Sequence, residues 1–144
     1  MIRLTIAALL VAGSVSVAHA GEQSRVATLY KNPQCSCCEG YAEYLRENGY
    51  TVIVKPTHNL SLIKREHDVP AKFDGCHTTL IDQYVVEGHV PVATLNRLLS
   101  EKPNIRGISL PGMPAGSPGM SGVKRKPFVI YEISEGSEKV YGRE

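Results

Sequence analysis

The stretch Asn32-Pro33-Gln34-Cys35-Ser36-Cys37-Cys38-Glu39-Gly40 constrains this chain more than any other, because it crowds three of the four cysteines into four residues. An apolar run, Val26–Tyr30, precedes it, and a helix-like pattern, Tyr41–Asn48, follows. A strand, a tight proline-bearing turn and then thiols opening a helix put sulfur at the positive end of the helix dipole. Unpaired amides and the dipole favour thiolate over thiol there. Such a cysteine is a better nucleophile and a better soft-metal ligand than a free one.

Ahead of this stretch, Met1–Ala20 carries one charge, Arg3, an apolar core from Leu4 to Val17, and Ala18-His19-Ala20 as an A-x-A cleavage signature. That is the pattern of a secretory signal peptide, cut near Ala20, which leaves residues 21–144 as a single domain. The apolar core is shorter than the ~20 residues needed to span a bilayer, and no later stretch approaches that length. The mature protein is therefore expected in the periplasm, with no membrane insertion. Subtracting Arg3 from the 16 Lys+Arg leaves 15 against 14 Asp+Glu. So even a balance supplies no electrostatic footprint for nucleic acid. The one basic cluster, Lys124-Arg125-Lys126, reads as a solvated loop.

Periodicity then orders the elements. Val26–Tyr30 reads as a buried strand, and Cys37–Asn48 as a helix with Tyr41, Tyr44 and Leu45 on one stripe. Asn48-Gly49 ends that helix in a left-handed cap, and Thr51–Lys55 alternates as a second strand. The resulting βαβ unit should connect right-handedly. Asn59 is placed to cap a short helix, Leu60–Glu66. Thr78–Ile81 and Tyr84–Glu87 form a hairpin through Asp82-Gln83, a turn without the glycine that tight hairpins favour. Val92–Ser100 is amphipathic, and Phe128–Ile133 is a last strand, continued by Lys139–Tyr141. Ile105–Lys126 reads as a long structureless loop rich in Gly and Pro.

Strand–helix–strand–helix–hairpin–helix is the thioredoxin and glutaredoxin order. The expected fold is α/β: a thioredoxin-like three-layer fold with a long Gly/Pro/Met loop before the last strand. In that fold the turn before the hairpin strand carries a cis-proline packed against the CxxC. Here Cys76-His77-Thr78 occupy that region, and the nearest proline is Pro70. A fourth thiol and an imidazole would then face the Cys35–Cys38 pair, which an ordinary dithiol–disulfide exchanger does not need.

The remaining soft donors sit close by in the chain. Both methionines beyond Met1, Met113 and Met120, lie in Pro111-Gly112-Met113-Pro114-Ala115-Gly116-Ser117-Pro118-Gly119-Met120, on a nearly side-chain-free backbone. Thioethers and thiolates together select Cu(I) over harder ions. His89 precedes the third helix, while His58 and His67 lie among charged residues around the second. Other readings stand beside this one. Four cysteines in an exported protein can form two disulfides, although a Cys35–Cys38 bond closes almost no loop and stabilises little. Structural zinc prefers separated ligand pairs. The methionines can be packing residues, His89 a helix cap, and His58 and His67 surface residues.

Cys35-Ser36-Cys37-Cys38, Cys76-His77-Thr78, Val86-Glu87-Gly88-His89-Val90-Pro91, Pro111-Gly112-Met113-Pro114 and Gly116-Ser117-Pro118-Gly119-Met120 together resemble the CopG-like family. These are small exported proteins of bacterial copper and metal-resistance clusters, long catalogued as a domain of unknown function. The likeness runs from about Val26 to Ile133, and Gln83 departs from it where glycine is expected. It implies a thioredoxin-like fold, a periplasmic location and copper bound through Cys, Met and His, with a copper oxidoreductase role proposed for the family. The expected ligands are Cys35, Cys37, Cys38, Cys76, His77, His89, Met113 and Met120, with Cys35 and Cys38 as the catalytic pair if the site is redox-active, as a copper oxidoreductase or as a thiol–disulfide oxidoreductase without metal. Cu(I) is the expected ion. Silver is equally soft, and zinc fits less well. The expected partners are other periplasmic copper-handling proteins or exporters.

Overall fold

A computed structural model describes residues 25–144, so the signal-peptide reading of Met1–Ala20 lies outside the described residues. The chain runs β1 (Val26–Lys31), α1 (Ser36–Glu47), β2 (Thr51–Pro56), α2 (Leu60–Glu66), a 3-10 turn (Ala71–Phe73), β3 (His77–Ile81), β4 (Tyr84–Gly88), α3 (Val92–Glu101), β5 (Gly107–Leu110), β6 (Val129–Glu132) and β7 (Val140–Arg143). The strands form one mixed sheet in the order β2-β1-β3-β4-β5-β6-β7. β1 and β2 are parallel, and β3 lies antiparallel to both β1 and β4.

Helix α1 buries Cys38, Tyr41, Ala42 and Leu45, the residues that its 3.6-residue period brings to one side. It stops at Gly49, whose φ of 84° lets the amide of Gly49 reach Arg46 O and that of Tyr50 reach Leu45 O. These two bonds are the Schellman pattern. Asn59 occupies the N-cap of α2, but its side chain makes no capping bond. In the hairpin, the positive φ falls on Asp82 (52°). Aspartate tolerates the left-handed region, so Gln83 need not be glycine.

Three layers result. On one face of the sheet, the Tyr44 hydroxyl accepts from the Val92 amide at 2.9 Å, and α1 and α3 together cover Leu29, Val86, Ile108 and Ile130. On the other face, α2 packs on β1 and β3, while Phe73, Val85 and Ile133 form a smaller cluster.

The segment Ile105–Lys126 is not structureless throughout. Gly107–Leu110 is a fully buried strand, parallel to β4 and antiparallel to β6. A four-residue strand buried on both faces shows no alternation, and the polar Ser109 in its middle hides it further. Ser109 is satisfied by donating to Phe73 O at 2.9 Å. At the chain's end, β7 does not prolong β6 but folds back antiparallel to it. A long loop, 111–128, is left between β5 and β6.

Candidate metal centre

The thiol turn is anchored from beneath. Lys31, at the end of β1, is only 1% exposed, and its ammonium pairs with Glu39 of α1 at 2.9 Å. It also donates to the carbonyls of Asn32 (3.1 Å) and Pro33 (3.2 Å). A buried charge with this many partners is satisfied, and the turn that leads into α1 is thereby fixed. The Cys35 amide closes that turn on Asn32 O at 3.0 Å. Cys35 therefore stands at the N-cap of α1, with Cys37 in the first turn and Cys38 buried beneath it.

Cys35 and Cys38 are joined as a disulfide, whereas Cys37 and Cys76 are free thiols. The pairing of Cys76 with an α1 cysteine, which two disulfides would need, is not formed. Register explains why Cys76 is nevertheless close. Lys31 of β1 lies opposite His77 of β3, so the residue before His77 is delivered to the start of α1. Cys76 Sγ lies 3.6 Å from Cys38 Sγ, and Cys37 Sγ lies 3.4 Å from Cys35 Sγ. All four sulfurs fall within 4.8 Å of one another.

A second group shares Cys76. His89, just past β4, holds Nε2 at 3.1 Å from Cys76 Sγ, and His77 Nδ1 lies 3.4 Å from the same sulfur. The opposite nitrogen of His89, Nδ1, donates to Pro118 O at 2.5 Å. That bond fixes the tautomer and leaves the Nε2 lone pair facing the thiol. The ring of Tyr41 stacks on His77 at 4.8 Å and lies 5.1 Å from His89, while its hydroxyl donates to Val90 O at 2.8 Å. His77 Nε2 is buried with no hydrogen-bond partner among the described residues.

Burial sets the charge state. It drives the His77 pKa well below the usual imidazole value, with neighbouring His89 adding to the effect, and it lowers His89 as well. Burial, followed by the neighbouring Cys37, pushes the Cys76 thiol up to about 12. At neutral pH the group is two neutral imidazoles around a protonated thiol.

Sequence reasoning gave no role to Glu87, which is fully buried beside the site. Its carboxylate accepts from Thr78 Oγ1 at 2.5 Å and from the Gly75 amide at 2.9 Å, and it pairs with Lys64 of α2. Lys64 also reaches Asp74 at 2.7 Å. These bonds staple the segment that carries Cys76 and His77 to the strand that leads to His89. The signal was available in the sequence. A glutamate in the apolar run Tyr84-Val85-Val86-Glu87 must be paired if that run is a central strand.

The two groups bring together six of the expected donors, Cys35, Cys37, Cys38, Cys76, His77 and His89. The two methionines lie on the loop that closes over them. Gly119, at φ 76°, packs so tightly on α1 that a Cβ there would come within 2.5 Å of the Tyr41 amide nitrogen. Pro118-Gly119-Met120 is therefore seated on the first turns of α1, and Met120 is half-buried. Met113 is exposed, with a φ of 45°. His58 and His67 belong to neither group. The donor set is soft and close-packed, and neither group contains a carboxylate. It suits a soft monovalent ion better than a hard one.

Comparison with known proteins is consistent with this chemistry. A family described as a protein of unknown function, DUF411, matches residues 73–120, which include Cys76, His77, His89 and both loop methionines. Two solved structures of a copper resistance protein, CopG, in two forms, each superpose with a TM-score of 0.77 at 31% identity. Both alignments cover 85% of this chain, and they cover 99% and 98% of those chains. No curated protein sequence matches the chain.

Proposed function

The chain belongs to the family of the CopG copper resistance protein, and on that premise we propose that it is a periplasmic copper-binding protein of metal resistance. One observation carries this reading. Cys76 belongs both to the four-sulfur group and to the group with His77 and His89, so six soft donors form one continuous patch. Cys35, Cys37, Cys38 and Cys76 would bind as thiolates once the Cys35–Cys38 bond is reduced. His77 and His89 would supply nitrogen, with Met113 and Met120 as thioether caps from the loop.

A Cu(I) ion takes about two to four donors, so eight candidates exceed what one ion uses. Several coppers bridged by thiolates follow, with Cys76 placed to bridge. Silver fits the same donors. The metal would come from, or pass to, other periplasmic copper-handling proteins or exporters. The test is an anaerobic Cu(I) titration of the reduced mature protein against a chromogenic competitor, with free thiols counted before and after. Uptake of more than one copper with loss of reactive thiols is expected. A stoichiometry of one or less removes the cluster, and no uptake removes the binding reading.

The Cys35–Cys38 disulfide beside two free thiols favours a second reading, a copper oxidoreductase. Closing the reduced pair to the disulfide releases two electrons and two protons, enough to take two Cu(II) to two Cu(I). Reduction of Cu(II) by the dithiol form, with turnover when a thiol reductant is supplied, is the expected signature. A single stoichiometric burst restricts the protein to binding.

A further inference from the structure

Loop 111–128 does more than carry methionines: it walls a groove of about 600 Å3. Leu110, Pro111, Pro114, Val123, Phe128 and Tyr131 make its apolar surface, and Arg125 and Lys126 stand on its lining. Concave sites of this size, apolar with a few polar groups, are where ligands and side chains of partners are captured. Val123 is 74% exposed, the most exposed of the large apolar residues among the described residues.

The groove is also strongly one-sided in charge. Lys31, Arg46, Lys64, Arg97 and Arg106 are each paired with a carboxylate, and the other cations without an ion pair among the described residues, such as Lys55, Lys102 and Lys139, are scattered along the chain. Lys124, Arg125 and Lys126 have no ion-pair partner among the described residues, and the Lys124 ammonium lies 4.6 Å above the Phe128 ring at the groove's wall. In a chain whose charges otherwise nearly balance, three consecutive unpaired cations around an apolar cleft select an anionic, apolar occupant.

The loop's hydrogen bonds tie this groove to the metal centre. Its middle folds on itself through Ser117 N to Pro114 O (3.1 Å), Met120 N to Ser117 O (2.9 Å) and Gly116 N to Ser121 O (3.2 Å). The same folded unit presents Pro118 O to His89 and seats Gly119 on α1. Pro111 and Pro114, on the groove wall, bracket the exposed Met113.

We propose that this groove is the docking site for a partner protein, which inserts a large apolar side chain flanked by carboxylates. A partner seated there lies against the loop that carries both thioethers, so metal exchange through Met113 happens beside the docked chain. That assignment of purpose rests on the copper-binding reading; the docking itself does not.

The experiment uses the folded mature protein and a fluorescently labelled hexapeptide in which phenylalanine and leucine are flanked on each side by two acidic residues. Its counterpart carries lysines in place of the acidic residues. Saturable anisotropy binding of the acidic peptide, weakened by added salt, is expected, with none for the lysine peptide. Arg125→Glu with Lys126→Glu, and separately Val123→Asp, should each weaken binding at least about tenfold while leaving far-UV circular dichroism and copper uptake unchanged. Equal binding of both peptides, no saturable binding, or binding indifferent to these substitutions overturns the proposal. Vesicles of phosphatidylglycerol and phosphatidylcholine provide the remaining arm. If they displace the peptide and bind the protein through the same cations, the face is a lipid surface and the proposal fails. Peptide binding by a protein that takes up no copper would leave the docking site standing and remove the functional reading instead.

Discussion

Cys76 is the residue on which both donor groups depend. Its sulfur lies within reach of Cys38, His77 and His89 at once, whereas Cys37 belongs only to the sulfur group. Cys76→Ser should therefore lower copper stoichiometry and weaken affinity by at least about a hundredfold, with Cys37→Ser the milder change. Competition titration of the two variants side by side checks this, and equal losses would mean that Cys76 is no bridge. The charge states lead to a second outcome. With the Cys76 thiol up at about 12, copper must displace a proton to bind there, while the buried imidazoles are already neutral and release none. Binding should thus liberate protons only from thiols, and affinity should rise with pH by about tenfold per unit for each proton released. Proton counting with an indicator dye in weak buffer, set against the number of thiols consumed, decides it. An excess of protons would show that the imidazoles had been charged. The thiols themselves were legible in the sequence, because adjacent cysteines at a helix start point to few other chemistries. The Nδ1–H of His89 bonded to Pro118 O was not legible, since it depends on a loop conformation that no local pattern encodes.

At the scale of elements, the site is a meeting of three chain segments held by two ion pairs, one with a buried lysine and one buried on both sides. Lys31 with Glu39 fixes the turn into α1, and Glu87 with Lys64 fixes the entry to β3 against the end of β4. Glu87→Ala would remove the acceptor of Thr78 and Gly75 and leave the Lys64 ammonium, 7% exposed, with Asp74 alone. Breaking a buried pair by removing one partner costs about 3–5 kcal/mol, and the surviving Asp74 contact puts this variant toward the lower end. Glu87→Gln keeps an acceptor and should cost less, about 1–3 kcal/mol. Urea denaturation gives both values, and a copper titration of the folded variants should show Glu87→Ala weaker than Glu87→Gln. Equal affinity in both would mean that the staple supports the fold and not the site. The helix carrying three of the thiols and the elements that follow it were readable because α1, β2 and α2 have strong periodicity and clear stops. β5 was hidden for the opposite reason. Its four residues, Gly107-Ile108-Ser109-Leu110, are buried on both faces and sit between prolines, so tertiary pairing with β4 and β6 defines the strand and local preference does not.

For the whole molecule, placing two imidazoles inside the fold sets how the apo protein responds to acid. The unfolded chain protonates His77 and His89 near the ordinary value of 6.5, whereas the folded chain resists because burial lowers both. Below 6.5 the unfolded state therefore binds more protons than the native state, and stability falls as pH falls. The loss approaches about 1.4 kcal/mol per pH unit for each histidine until its folded-state value is reached. Of the groups facing these rings, Cys76 stays protonated throughout, while Glu87, raised from 4.5 by burial, takes up a proton in the native state as pH falls through its folded value and there offsets part of the loss. Urea midpoints of the metal-free protein at a series of pH values from 7 downward should drop steadily below 6.5. His77→Gln should flatten the curve, since glutamine has no proton to gain. Copper bound to the two imidazoles would steepen the acid response, because protons must then displace metal as well as enter the core. A curve for the metal-free wild type that is flat from 7 to 5.5 would mean that the histidines titrate freely, and the neutral donor set inferred for the site would fall with it.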